Sequence, residues 1–196
     1  RRINGGGHCM TIDVHTHYLS RDLADGLRKR MDAPRIEQLD DGLERYHMPH
    51  GSLMLSGVYY DMDARIAYMD GLGVTRQILS FPGLFGVDSL PLEDCADLLA
   101  GFNEHVAGLA EMHPTRFSGL AALPFAYMDE AVREYRRARL DLGLIGAILP
   151  VNLLVTEDHA ASLAPVFAAA QELGGHLFVH PGRRADEVPP AGTSQR

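Results

Sequence analysis

The stretch Ile12-Asp13-Val14-His15-Thr16-His17 sets two imidazoles two residues apart inside a short apolar, β-branched run. Along an extended chain alternate side chains share a face, so Asp13, His15 and His17 are expected on one face, with Ile12 and Val14 on the other. Two neutral imidazoles converging on one point are good ligands for zinc or a similar divalent ion. A second signal lies far downstream. In Phe178-Val179-His180-Pro181 a histidine ends another apolar run, and Pro181 turns the chain out of any sheet. Either motif alone fits an ordinary surface or core histidine. Together they describe a three-imidazole metal site made of His15, His17 and His180.

The segments between these motifs alternate short apolar runs with longer stretches of helical period, as in βα units around a parallel sheet. Residues 11–15 read as a first strand. Residues 19–60, rich in Gly, Pro and His, are too long for a plain loop and are expected to form a cap over one end of the fold. Asp61 can N-cap a helix running to Leu72, with Ile66 and Met69 inward and Gly73 as its left-handed stop. Residues 74–80 read as a second strand. Leu92, Cys95, Leu99, Phe102, Val106 and Leu109 then recur at helical spacing before Pro114. Residues 117–123 form a third strand, followed by a helix from Asp129 with Val132, Tyr135, Ala138 and Leu142 inward. Residues 145–149 form a fourth strand. Glu157 and Asp158 head a helix over 161–173, and 177–180 form a fifth strand. Residues 1–9 carry no apolar period and are expected to be a leader or tag outside the fold; residues 183–196 read as a loop or truncated tail. Five strands at this pitch suit the first five units of a (β/α)8 barrel, and periodicity alone also admits an open doubly wound sheet.

Composition narrows the setting. The 196 residues are 46% hydrophobic and 22% charged, which fits one globular domain. A balance of 18 basic against 26 acidic side chains, net −8, argues against nucleic acid or an anionic membrane as partner and for a small-molecule substrate. Cys9 and Cys95 make no Cys-x-x-Cys pair, which points to a reducing, cytoplasmic location. No apolar run reaches the ~20 residues of a membrane span.

The series IDVHTH, DMDARIAYMDGLGVTRQILSFP, HPTRFSGLAALP, LGLIGAILPVN and PVFAAAQELGGHLFVHP, in this order from Met10 to Gly182, resembles the amidohydrolase-related decarboxylases and hydrolases typified by α-amino-β-carboxymuconate-ε-semialdehyde decarboxylase. The resemblance implies a metal-dependent-hydrolase (β/α)8 barrel with strands one to five present in this chain. It implies a metal held by His15, His17 and His180 plus an aspartate at the end of strand eight. A catalytic histidine after strand six is implied as well; both of those residues fall outside this sequence, so no catalytic residue is assigned. The chain departs from the typifying enzyme at two positions. Ser56 matches an arginine that grips the substrate carboxylate, and Gly182 matches a tryptophan. The end of strand four, Leu149-Pro150-Val151-Asn152, lacks the bridging lysine or glutamate of binuclear relatives, so one metal ion is expected, zinc first.

Candidate substrate-binding residues are His47 and His50 in the cap, Phe81 after the second strand, and Asn152. His105 and His113 are expected to be exposed, His176 to hydrogen-bond in the interior, and Asp13 to be buried with a local partner. The favoured activity is decarboxylation of a small carboxylate or aromatic-derived substrate, in which the metal holds substrate oxygens while a carbon is protonated. The alternatives are metal-dependent hydrolysis of an ester, lactone or amide, and an inactive fragment. A homodimer is the expected assembly.

Overall fold

A computed structural model describes residues 10–182, 184 and 187. Its frame is a five-stranded parallel sheet of β1 (Ile12–His17), β5 (Arg76–Ser80), β6 (Phe117–Ala121), β7 (Gly146–Pro150) and β8 (His176–His180), in that spatial order. Between successive strands the chain crosses through α2 (Met62–Leu72), α3 (Leu92–Met112), α4 (Met128–Leu140), and the pair α5 (Glu157–Ser162) and α6 (Ala164–Leu173). This is the strand and helix succession expected of the first five units of a (β/α)8 barrel.

The helices start and stop for local reasons. The Asp61 carboxylate accepts the Ala64 N–H at the head of α2, and Gly73 closes that helix at φ 67°, a left-handed turn that costs a glycine little. The span headed by Glu157 and Asp158 is two helices rather than one, because the chain breaks at Leu163 and α6 restarts with proline in its first turn. In α3 the buried face holds the expected Cys95, Leu99, Phe102, Val106 and Leu109 together with Asn103. The Asn103 side chain donates to the Ala122 carbonyl and accepts the Ala122 N–H, capping the ladder just beyond β6.

The long insertion is built of regular elements. It contains α1 (Arg21–Arg28) and an antiparallel ribbon of β2 (Arg35–Gln38), β3 (Glu44–His47) and β4 (Ser52–Leu55). Asp41-Gly42 sits in the β2–β3 connection with Gly42 at φ 80°, a hairpin signal readable in the sequence. Ile36, Tyr46 and Leu55 turn one face of the ribbon into the core. Tyr46 donates its hydroxyl to the Phe85 carbonyl, and Pro49 packs so closely on Gly86 that a Cβ there would lie 2.4 Å from the proline ring. The cap is thereby seated on the loop that follows β5.

The helix-side core includes Leu79, Phe117, Ala121, Ala147 and Leu149 from the sheet. Ile12, Val14, Ile78, Leu120, Ile145 and Phe178 line a hollow on the opposite, concave face. Among the described residues no helix is long and apolar enough to cross a membrane.

Candidate metal centre

β1 does not alternate as its sequence suggests. Its pairing with β5 runs Asp13 to Gln77 and then Thr16 to Leu79, so β1 holds one extra residue, a bulge between positions 13 and 16. The bulge resets the side-chain parity. Asp13 and Thr16 therefore point to the helix layer, whereas Ile12 and Val14 lie on the concave face toward whose rim the imidazoles project. The expectation that Asp13 shares a face with His15 and His17 is corrected by this bulge. Asp13 is half-buried, and it does have local partners: Oδ2 accepts from Gln77 at 3.0 Å and Oδ1 accepts the His15 N–H at 3.1 Å.

The structure brings the three predicted histidines together. Their ring centroids are 5.1 Å apart for His15 and His17, and 4.8 Å for each of these with His180. One ligand nitrogen from each lies within 4.8 Å of the others, and His15 Nε2 meets His180 Nε2 at 2.9 Å. Nitrogens held by a single zinc ion at ~2.1 Å sit roughly 3.4 Å from one another, so small ring movements suffice to admit a cation. Among the described residues no other group of three His, Cys, Asp or Glu side chains is arranged in this way.

The chemical state of the rings suits the task. His180 Nδ1 lies 2.8 Å from the Pro181 carbonyl, which can only accept; Nδ1 thus carries the proton and Nε2 offers its lone pair. Burial lowers the His180 pKa against the raising effect of that bond, with nearby His15 lowering it further. His17 is pushed down to about 4, first by burial and then by His180, His15 and Arg65. The ring is therefore neutral at neutral pH, the form that can ligate a cation. Its Nδ1 reaches Ser80 Oγ at 3.4 Å, and that hydroxyl donates to the Thr16 carbonyl. Phe85 packs edge-on against His17, and Phe178 against His15.

The other predicted residues are placed differently. Phe81 is buried between Phe85 and Phe102, so Phe85 is the phenyl ring of that loop beside His17. His47 Nε2 pairs with Glu37 at 2.7 Å across the cap ribbon. His50 Nε2 is enclosed and has no hydrogen-bond partner among the described residues. The Asn152 amide donates to Glu187 at 2.6 Å. His105 is not exposed as expected: it is half-buried on α3 and bonds the Tyr18 hydroxyl at 2.8 Å. His113 is half-buried against Phe117. His176, expected inside, is exposed because it opens β8 at the end of the strand remote from His180.

Sequence reasoning missed Arg65, Gln77 and Ser80, which lie directly beneath the imidazole-bearing strand. Arg65 could have been found. It shares the inward face of α2 with Met69 four residues on, and a charge on an apolar stripe signals a buried polar network.

A protein-family model described as "Amidohydrolase" matches residues 12–195. The chain is 30% identical over 182 residues to a 2-amino-3-carboxymuconate-6-semialdehyde decarboxylase of Dictyostelium discoideum, covering 88% of this chain and 49% of that protein. It is 32% identical over 144 residues to a gamma-resorcylate decarboxylase of Rhodococcus jostii, covering 64% of this chain and 44% of the relative. The chain thus spans about half the length of the curated relatives it matches. Among solved structures, the IDCase of Metarhizium anisopliae in its apo form superposes with a TM-score of 0.74 at 19% identity, over 88% of this chain and 50% of that one. A 5-carboxyvanillate decarboxylase of Novosphingobium aromaticivorans with bound manganese gives 0.68 at 22% identity, over 92% and 53%. These likenesses establish the fold as part of a (β/α)8 barrel. With the match running through nearly every described element, from the first imidazole-bearing strand to the last, the chain belongs to the amidohydrolase family.

Proposed function

We propose that this chain supplies three histidine ligands of a metal-dependent decarboxylase acting on a small aromatic or unsaturated carboxylate. The observation that carries the reading is the convergence of His15, His17 and His180 at the strand ends. The decarboxylases among its relatives support this reaction class. When bound, a single divalent cation supplies positive charge against the oxygens of the substrate. Zinc suits three imidazoles, and the manganese bound in a structural neighbour is the competing choice. The chain's own residues do the rest. The Pro181 carbonyl holds the His180 ring in one tautomer, burial keeps His17 neutral, and Phe85 and Phe178 give the site apolar flanks. His47, His50, Phe81 and Asn152 stay candidates for substrate contact. A cytoplasmic location, supported by the sparse cysteines, of which Cys95 is free and buried, and a homodimeric assembly complete the reading.

Hydrolysis of a lactone, ester or amide is the second reading, favoured by Ser56 and Gly182. At Gly182 a Cβ would lie 2.8 Å from the Pro150 side chain, so no bulky ring projects there. Assays of the full gene product for CO2 release from hydroxybenzoates and for lactone hydrolysis separate the two; CO2 release alone is expected. Metal analysis tests the site itself. His15→Ala is expected to lose most of the bound ion, and equal metal content in both proteins refutes the assignment.

A further inference from the structure

We infer that Arg65, acting through Gln77 and Asp13, is a positioning residue that fixes the two imidazoles of β1, an inference that rests on the metal reading above. Arg65 is 4% exposed on α2, and among the described residues no carboxylate pairs with it directly. Burying a guanidinium without a counter-ion is costly, and an apolar side chain would pack the same helix face more cheaply. Its return is four directed bonds. Nη2 donates to the His17 carbonyl at 2.8 Å, Nη1 to Thr16 Oγ1 at 3.1 Å and to Gln77 Oε1 at 3.0 Å, and Nε to the Val58 carbonyl at 2.9 Å. The Gln77 amide then donates to Asp13, whose second oxygen accepts the His15 N–H.

One connected network therefore holds the main chain of both ligand residues. A bulge in a parallel ladder leaves a backbone group without its strand partner and leaves the local twist free to vary. Here the Asp13 carboxylate takes up the His15 N–H, and the guanidinium fork takes up the His17 carbonyl. The fork also anchors the returning end of the cap at Val58, just ahead of α2. Lysine cannot reproduce this arrangement, because a single ammonium lacks the planar spread that reaches four acceptors at once.

Cobalt(II) titration of the full gene product, read by its visible absorption and by competition with a chelator, tests the role. Arg65→Met is expected to bind cobalt roughly 10–100-fold more weakly, with shifted absorption bands, and Arg65→Lys to recover part of both. Asp13→Ala, at the partly exposed end of the relay, is expected to weaken cobalt about tenfold and serves where Arg65→Met fails to fold. Folded variants with wild-type affinity and spectrum overturn the positioning role alone. A wild type that takes up no cobalt overturns the metal reading and the positioning role with it.

Discussion

A carboxyl group at the mouth of the fold has the most readily tested side-chain chemistry. Asp88 lies in the short turn after β5, with its Oδ2 against Gly83 and close to Pro150 at the end of β7. Burial pushes its pKa up to about 7, against the lowering effect of a 3.4 Å contact from the Ser89 hydroxyl and of a hydrogen bond from its own backbone. Between pH ~4 and 7 the folded state therefore keeps a proton that the unfolded state has released, so stability falls as pH rises through that window and is lowest above it. Asparagine cannot ionise. Asp88→Asn is expected to be more stable than the wild type at pH 8, by up to about 4 kcal/mol, with the gap closing toward pH 4 in urea titrations. A constant gap across that range would show that Asp88 titrates normally.

Among the elements, β8 has the most exacting position. Gly146 opens β7, and a Cβ there would lie 1.9 Å from the His176 carbonyl oxygen. Gly146→Ala must push β8 away from β7, although it acts at the opposite end of the strand from His180. Loss of metal affinity of at least tenfold is the expected result, with destabilisation of about 1–3 kcal/mol; unchanged affinity by chelator competition would show that β8 pivots without moving His180. The same elements show what the sequence can and cannot disclose. Helices with an aspartate cap and a glycine stop, such as α2, were legible because their signals are local. The three histidines were legible because two alternate along one short strand and the third ends another apolar run. The bulge in β1 was not, since it exists only in register with β5, and Gln77 and Arg65 acquire their partners only when that register is set. The cap ribbon leaves little sequence signal beyond Asp41-Gly42, because its strands are only four residues long.

For the molecule as a whole, the concave face of the sheet matters most. Val14 is 51% exposed and Ile12 45%, beside Phe178 and the hollow below the histidines. In the 196-residue chain a contiguous apolar face of this kind favours self-association. Val14→Lys in the 196-residue chain is expected to reduce both light scattering and fluorescence of an apolar dye. Equal signals from the two proteins would place the adhesive surface elsewhere.

The three imidazoles come from the two edges of this sheet, and the closing contact between His15 and His180 joins residues 165 positions apart. Three intervening strands must be in register before the rims can meet, so the ion-binding geometry belongs among the last features to form during folding. On the proposed metal reading, an ion captured there would act as a clasp on the curvature. The moment at which a refolding chain begins to hold cobalt tightly therefore marks the moment at which the sheet has curled.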